Sequence, residues 1–353
     1  MSSKSKFTKT AALIAAALMV FSAASCGSNT ETPQDSASES ATTTPAETTA
    51  PADSTTTSAT TTTIKITTTT TTTLAPLPVL EEYQEWVDKN DDIKGWIKVG
   101  GTPIDYPCVQ GTDNSYYLEH DYEKNEIRNG ACFIDYLCEF TTRTRPANII
   151  IYGHNMRSGP SFAKLTTYCP WYYTGYNRSG SGFSISQYTE NPTITFNTVW
   201  EEGTYKVFAA MFVNTMEEHG DVFRYYRQRT ITSEYEFYNY IANILDRSQF
   251  YTDVDLEYGD ELLTLSTCYY PLGNNVDTRF VVFARRVREG ESAEVDVSKA
   301  EINYDPLYFK YWYQVYGGSW GGRKWDTSKI KGLDEYMAAH PDEEIGTIAP
   351  AAQ

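Results

Sequence analysis

Beyond residue 80 the chain alternates short apolar runs with polar, turn-forming connections, the rhythm of a sheet protein. Strand-like runs fall at 95–99, 104–109, 131–136, 148–152, 193–197, 205–213, 261–266 and 280–286. Two stretches keep a different period. Leu80, Tyr83, Trp86 and Val87 recur at helical spacing, and Asn90, Asp91 and Asp92 end that segment. Between 233 and 250, Phe237, Ile241, Ile244 and Leu245 share one helical face, and Ser233 with Glu236 has capping-box spacing. Many short strands with few helices predict a mainly β fold, a closed β-barrel with peripheral helices. One helix is N-terminal, and the longer one precedes the strand that ends in Cys268. Roughly 210 residues suffice for one core, so a single domain is predicted over 79–290.

The first 78 residues lack this patterning. Lys4, Lys6 and Lys9 precede an apolar run from Ala11 to about Ser25, shorter than the roughly 20 residues a spanning helix needs. Residues 1–26 therefore read as a secretory signal peptide. Ala23-Ala24-Ser25-Cys26 is similar to a lipobox, which predicts lipidation of Cys26 and membrane attachment through the N-terminus. An uncleaved signal anchor and plain secretion stay open; in each version the rest of the chain is exported. Residues 27–78 are Thr, Ser, Ala and Pro with almost nothing apolar to bury, the composition of a disordered tether. At the other end, 291–353 is acidic and then aromatic, with Tyr304, Tyr308, Phe309, Tyr311, Trp312, Tyr313, Tyr316, Trp320 and Trp325. Such a segment is expected to pack onto the barrel; covering a cleft or stacking on sugars are the alternatives.

Composition narrows the partners. Lysine and arginine number 29 against 46 acidic residues, and a net charge of −17 argues against nucleic acid. No glycine-rich phosphate-binding motif calls for a cofactor. Cys108, Cys132, Cys138 and Cys169 lie outside any paired metal-ligand spacing, so no metal is expected. They read as small buried apolar side chains, with a disulfide left open for an exported protein.

The chemistry concentrates elsewhere. Leu262-Leu263-Thr264-Leu265-Ser266-Thr267 delivers Cys268 to a strand end, a turn-rich stretch follows, and Arg279 opens the next strand. Antiparallel pairing of those runs would set Cys268 and Arg279 side by side, and a cation beside a thiol favours the nucleophilic thiolate. A base must come from four histidines. His120, His219 and His340 sit in polar or terminal surroundings. His154 follows Asn148-Ile149-Ile150-Ile151-Tyr152-Gly153, so it too lies at the end of a buried strand, where catalytic groups are typically held.

Tyr152-Gly153-His154-Asn155-Met156, then Thr264-Leu265-Ser266-Thr267-Cys268, then Arg279 leading a strand resembles the sortase signature in its class B form. The resemblance spans roughly residues 80 to 290. Papain-like proteases place Cys before His, and caspases surround the Cys differently. The resemblance implies a sortase-type barrel and an extracytoplasmic cysteine transpeptidase of Gram-positive type. It implies that Cys268 attacks a sorting-signal peptide of a secreted protein, that His154 exchanges protons, and that Arg279 binds the carbonyl or oxyanion. The implied acceptor is a peptidoglycan cross-bridge amine or a pilin lysine. Asn155, Asn148 and Asp135 are the candidates to orient His154. A hydrolytic cysteine peptidase and a non-catalytic exported binding or adhesion domain remain the alternatives.

Overall fold

A computed structural model of the chain describes residues 75–156, 159 and 161–346. The signal segment and most of the tether lie outside the described residues. Among the described residues, no helix is long and apolar enough to cross a membrane.

Helix α1 (Glu81–Lys89) is followed by strands β1 (Ile93–Val99), β2 (Asp105–Val109), β3 (Cys132–Ile134) and β4 (Asn148–Tyr152). A short helix α2 (Ser186–Glu190) leads into β5 (Thr193–Thr198) and the long β6 (Thr204–Asn214). Then come α3 (Glu234–Arg247), β7 (Phe250–Tyr251), β8 (Leu262–Cys268) and β9 (Thr278–Arg286). The C-terminal part holds β10 (Glu301–Ile302), α4 (Lys310–Tyr316) and α5 (Leu333–Ala339). Eight strands close a barrel in the order β1-β2-β3-β4-β8-β9-β6-β5, and β7 with β10 forms a separate ribbon.

The burial of alternate side chains shows why the barrel closes. Along β9, Phe280, Val282 and Ala284 enter the barrel core, while Val281 and Phe283 face a second core beneath α3. Along β6, Ala210 and Phe212 point inward, and Ala209, Met211 and Val213 point toward α3. Both faces of these strands are thus apolar, because α3 covers the outside with Phe237, Ile241 and Ile244. Ser233 caps α3 by accepting the Glu236 N–H at 3.2 Å. The Glu236 carboxylate returns to the N–H and hydroxyl of Thr232, one residue earlier than a regular capping box. On the far side, α1 lays Tyr83 against Ile93, Val109 and Tyr117.

Residues after 287 join the same cores. Tyr308, Phe309 and Trp312 add to the barrel-side cluster, and Trp325, Ile330 and Leu333 to the one beneath α3.

The strand expected over 131–136 is shorter, ending at Ile134. Asp135 is fully buried and takes the Arg229 Nε at 2.8 Å, and the Tyr136 N–H goes to the Asn114 side chain. These polar bonds turn the chain out of the ladder.

Candidate active site

Three strands bring the predicted residues to one end of the barrel. Strand β8 pairs antiparallel with β9, and in that register Cys268 lies directly opposite Arg279. Strand β4 runs parallel to β8 on its other edge, from Asn148 beside Leu262 to Tyr152 beside Ser266. The ladder carries on past its last pair: the Gly153 N–H donates to the Ser266 carbonyl at 3.1 Å, and Thr267 Oγ1 donates to the Gly153 carbonyl at 2.7 Å. His154, next in the chain, therefore leaves β4 beside the end of β8 that carries Cys268. The Asn155 amide closes the gap by donating to the Cys268 carbonyl at 2.7 Å.

Gly153 makes this junction possible. A Cβ there would come 2.6 Å from the Phe162 ring and 2.8 Å from Ser161 Oγ. The returning chain must pass that close because the Phe162 N–H donates to the His154 carbonyl at 2.9 Å.

The His154 ring is held by main chain. Nε2 lies 2.9 Å from the carbonyl oxygen of Leu118. A carbonyl only accepts, so Nε2 carries its hydrogen and Nδ1 is left as the exchangeable nitrogen. Gly130 packs against that carbonyl: at φ +53 its backbone approaches so closely that a Cβ would lie 2.6 Å from the Leu118 oxygen. Among the described residues, no hydrogen bond joins the imidazole to the Cys268 sulfur, and none of Asn155, Asn148 or Asp135 bonds the ring. Asn148 is buried with Thr264 and Tyr240, and Asp135 holds Arg229 and the Tyr152 hydroxyl. Catalytic hydrogen bonds often tighten only once substrate is bound.

Arg279 is 27% exposed and Nη1 lies 2.5 Å from Asp277 Oδ1. Burial opposes the charge of the guanidinium, but the Cys268 sulfur and the Asp277 carboxylate outweigh it and push the pKa above the usual arginine value. Asp277 is drawn below the usual carboxylate range: burial acts against this, and Arg279 and Thr215 prevail. Thr215 Oγ1 donates to Asp277 Oδ2 at 2.6 Å. Behind them, the Tyr225 hydroxyl shares a 2.6 Å hydrogen bond with Ser266, and burial pushes that phenol up to about 12.

The other described cysteines take no part in this site. Cys108, Cys132, Cys138 and Cys169 are free and buried, whereas Cys268 is half-buried. Burial drives the Cys132 and Cys138 thiols up to about 12, away from reactivity.

A sortase-domain family model matches residues 97–287, more than half of the chain. The chain belongs to the sortase family. Its relatives assign it to class B. It is 30% identical over 190 residues to sortase B of Listeria monocytogenes, covering 54% of this chain and 68% of that one. To sortase B of Staphylococcus aureus it is 27% identical over 179 residues, 51% of this chain and 64% of that one. Among solved structures, a Staphylococcus aureus sortase B–substrate complex aligns at 26% identity and TM-score 0.49, over 60% of this chain and 86% of that one. Clostridium perfringens sortase B aligns at 29% identity and TM-score 0.47, over 58% and 98%.

In this class B sortase, sequence reasoning missed Leu118, Asp277 and Tyr225. A backbone acceptor such as the Leu118 carbonyl leaves no residue signature. Asp277 was legible only as an acid two places before Arg279, hidden among turn formers.

Proposed function

We propose that this sortase is a cysteine transpeptidase that cleaves a sorting-signal peptide of a secreted protein and passes it to an amine of the cell wall or a pilin lysine. The observation that carries this reading is the ladder register that sets Cys268 opposite Arg279 while parallel β4 delivers His154 to the same strand end.

In this mechanism the Cys268 thiolate attacks the scissile carbonyl carbon, and the new C–S bond places negative charge on the carbonyl oxygen. Arg279 donates to that oxygen, and planar guanidinium suits the task better than an ammonium. The C–N bond then breaks, with the proton on His154 Nδ1 going to the departing amine. An incoming amine attacks the thioester, gives its proton back to His154 and releases the thiolate, so the enzyme returns unchanged. Asp277 holds Arg279, and the Leu118 carbonyl holds the ring with Nδ1 free. We place the reaction outside the membrane, with the catalytic domain tethered through its N-terminus.

The test is incubation of the protein with fluorogenic sorting peptides, including Asn-Pro-x-Thr types, with and without an amine acceptor. Turnover should vanish in Cys268→Ala, and the product should carry the amine. Cleavage without transfer would refute transpeptidation in favour of a peptidase. Absence of cleavage across the motifs would refute the enzymatic reading.

A further inference from the structure

Helix α4 lies beyond the family-matched residues 97–287, yet its buried Trp312 packs on two rings that meet Tyr269, the residue after the nucleophile. Trp312 is 1% exposed. Its ring stacks on Tyr308 with centroids 4.1 Å apart, and its centroid lies 5.8 Å from that of Trp171 and 6.1 Å from that of Phe212. Trp171 and Phe212 stack on each other at 4.8 Å, and each meets Tyr269, at 6.1 and 5.6 Å. Tyr269 is joined to Cys268 by a peptide bond. Its N–H donates to the Thr278 carbonyl at 3.2 Å, and Thr278 Oγ1 donates back to its carbonyl. Thr278 in turn precedes Arg279. The backbone of Tyr269 therefore sits at the joint between nucleophile and guanidinium, while its ring packs on Trp171 and Phe212.

One detail separates this stack from ordinary core filling. Trp312 Nε1 is buried without a hydrogen-bond partner among the described residues. An orphaned donor costs free energy that phenylalanine would not incur, although the smaller ring would leave a void. What tryptophan adds is reach, a ring broad enough to bridge Tyr308 to both Trp171 and Phe212.

We propose that Trp312 is a positioning residue of the transfer reaction, acting through Trp171 and Phe212 on Tyr269 to fix the Cys268–Arg279 joint. The C-terminal segment is thereby part of the catalytic apparatus and not an appended module. This rests on the cysteine-transpeptidase reading above.

The experiment compares Trp312→Phe, Trp312→Leu and, as a matched control, Trp325→Leu in the full chain. Trp325 is 7% exposed in the other core, beneath α3. Four quantities are measured: Tm, kcat and KM on a sorting peptide, and the rate at which iodoacetamide alkylates Cys268, followed by mass spectrometry. Trp312→Phe, in which relief of the orphaned donor offsets the void, should change Tm by only a few degrees while lowering kcat about threefold, and Trp312→Leu should lower kcat about tenfold with KM within about twofold. Trp325→Leu should lose Tm but keep kcat within about twofold. The proposal is overturned if kcat stays unchanged in Trp312→Phe, or if Trp312→Leu loses no more kcat than Trp325→Leu. If Trp312→Leu does not fold, Trp312→Phe decides alone. If the unaltered protein cleaves no peptide, the transpeptidase reading fails separately. The alkylation rate then decides: slowing in the Trp312 variants and not in Trp325→Leu supports positioning, and equal rates overturn it.

Discussion

Asp277→Asn asks whether the placement of Arg279 matters as well as its charge. The Arg279–Asp277 pair is 27% and 37% exposed and closes at 2.5 Å. It sits between a solvated surface pair, worth up to about 1 kcal/mol, and a buried pair whose rupture costs about 3–5 kcal/mol. Asparagine keeps one oxygen for the guanidinium and offers an amide to Thr215, so the shape survives and only charge assistance is lost. A charge-assisted bond is roughly twice as strong as a neutral one, which puts the loss at about 1–1.5 kcal/mol. If Arg279 stabilises the oxyanion only from this position, that free energy is subtracted from the transition state, about five- to tenfold in kcat. Arg279→Ala removes the donor altogether and should cost about 10²–10³ in kcat. In the double variant Asp277 has nothing left to hold, so Asp277→Asn should add less than about twofold. Steady-state kcat and KM on a fluorogenic sorting peptide measure all four corners of the cycle. Additive losses in the double variant, or Asp277→Asn within about twofold of the parent, would refute the reasoning.

Gly153→Ala should impair both fold and turnover. Its Cβ would meet the Phe162 ring at 2.6 Å, pushing on the segment that holds the His154 carbonyl. An overpacking loss of about 1–3 kcal/mol by urea unfolding, with kcat/KM down about tenfold or more, is expected. Glu291→Gln probes the ion pairs that tie the residues after β9 to the barrel. Arg285, 1% exposed, would keep Asp255 but lose the Glu291 carboxylate now at 2.6 Å, a change expected to cost about 3 kcal/mol in urea unfolding. The same network sets an acid dependence. Arg285 and Lys206 hold the Glu291 carboxyl well below its usual range; for Asp255, burial pulls upward but Lys331, Arg288 and Arg285 outweigh it. Both folded-state pKa values lie below the unfolded ones, so the stabilisation is complete above about pH 5 and drains away as pH falls through about 4 and lower. The urea midpoint should fall from pH 5 to pH 3, and Glu291→Gln should flatten that slope. A slope unchanged in the variant would remove Glu291 from the account.

The barrel was legible as short apolar runs between turn formers; in the structure alternate residues of 280–284 enter two cores, while along 205–213 a bulge puts both Phe208 and Ala209 beneath α3. The long helix was legible from Ser233 and from Phe237, Ile241 and Ile244. The sequence expectation for 131–136 overshot because Asp135 looks like a tolerable strand end until its buried pairing with Arg229 is seen, 94 residues away. Helices α4 and α5 went unread for another reason: each is seven residues long, too short to display a period. In α4, aromatic rings pack on Tyr176, Trp171 and Phe212 from several directions. What the residues could not convey were contacts through backbone atoms, the Leu118 carbonyl on His154 above all.

The spacing of the three reactive residues follows from the ladder itself. Parallel strands cannot be joined by a tight turn; they need a crossover. Since β4 and β8 are parallel neighbours, the residue after β4 and the residue ending β8 share one barrel end only if the chain travels back to the other end between them. It does so through β5, β6 and α3, which explains why His154 and Cys268 lie far apart in sequence. Strands β8 and β9 are antiparallel, so a single connection returns the chain at the same end, and Arg279 follows Cys268 closely. Insertions in the long crossover leave the site intact so long as β4 and β8 keep register. A slip of one residue in the β8–β9 register would turn Arg279 to the opposite face of the sheet. The Thr278 bonds to Tyr269 close the ladder at that vulnerable point, where the Tyr269 ring packs on Trp171 and Phe212.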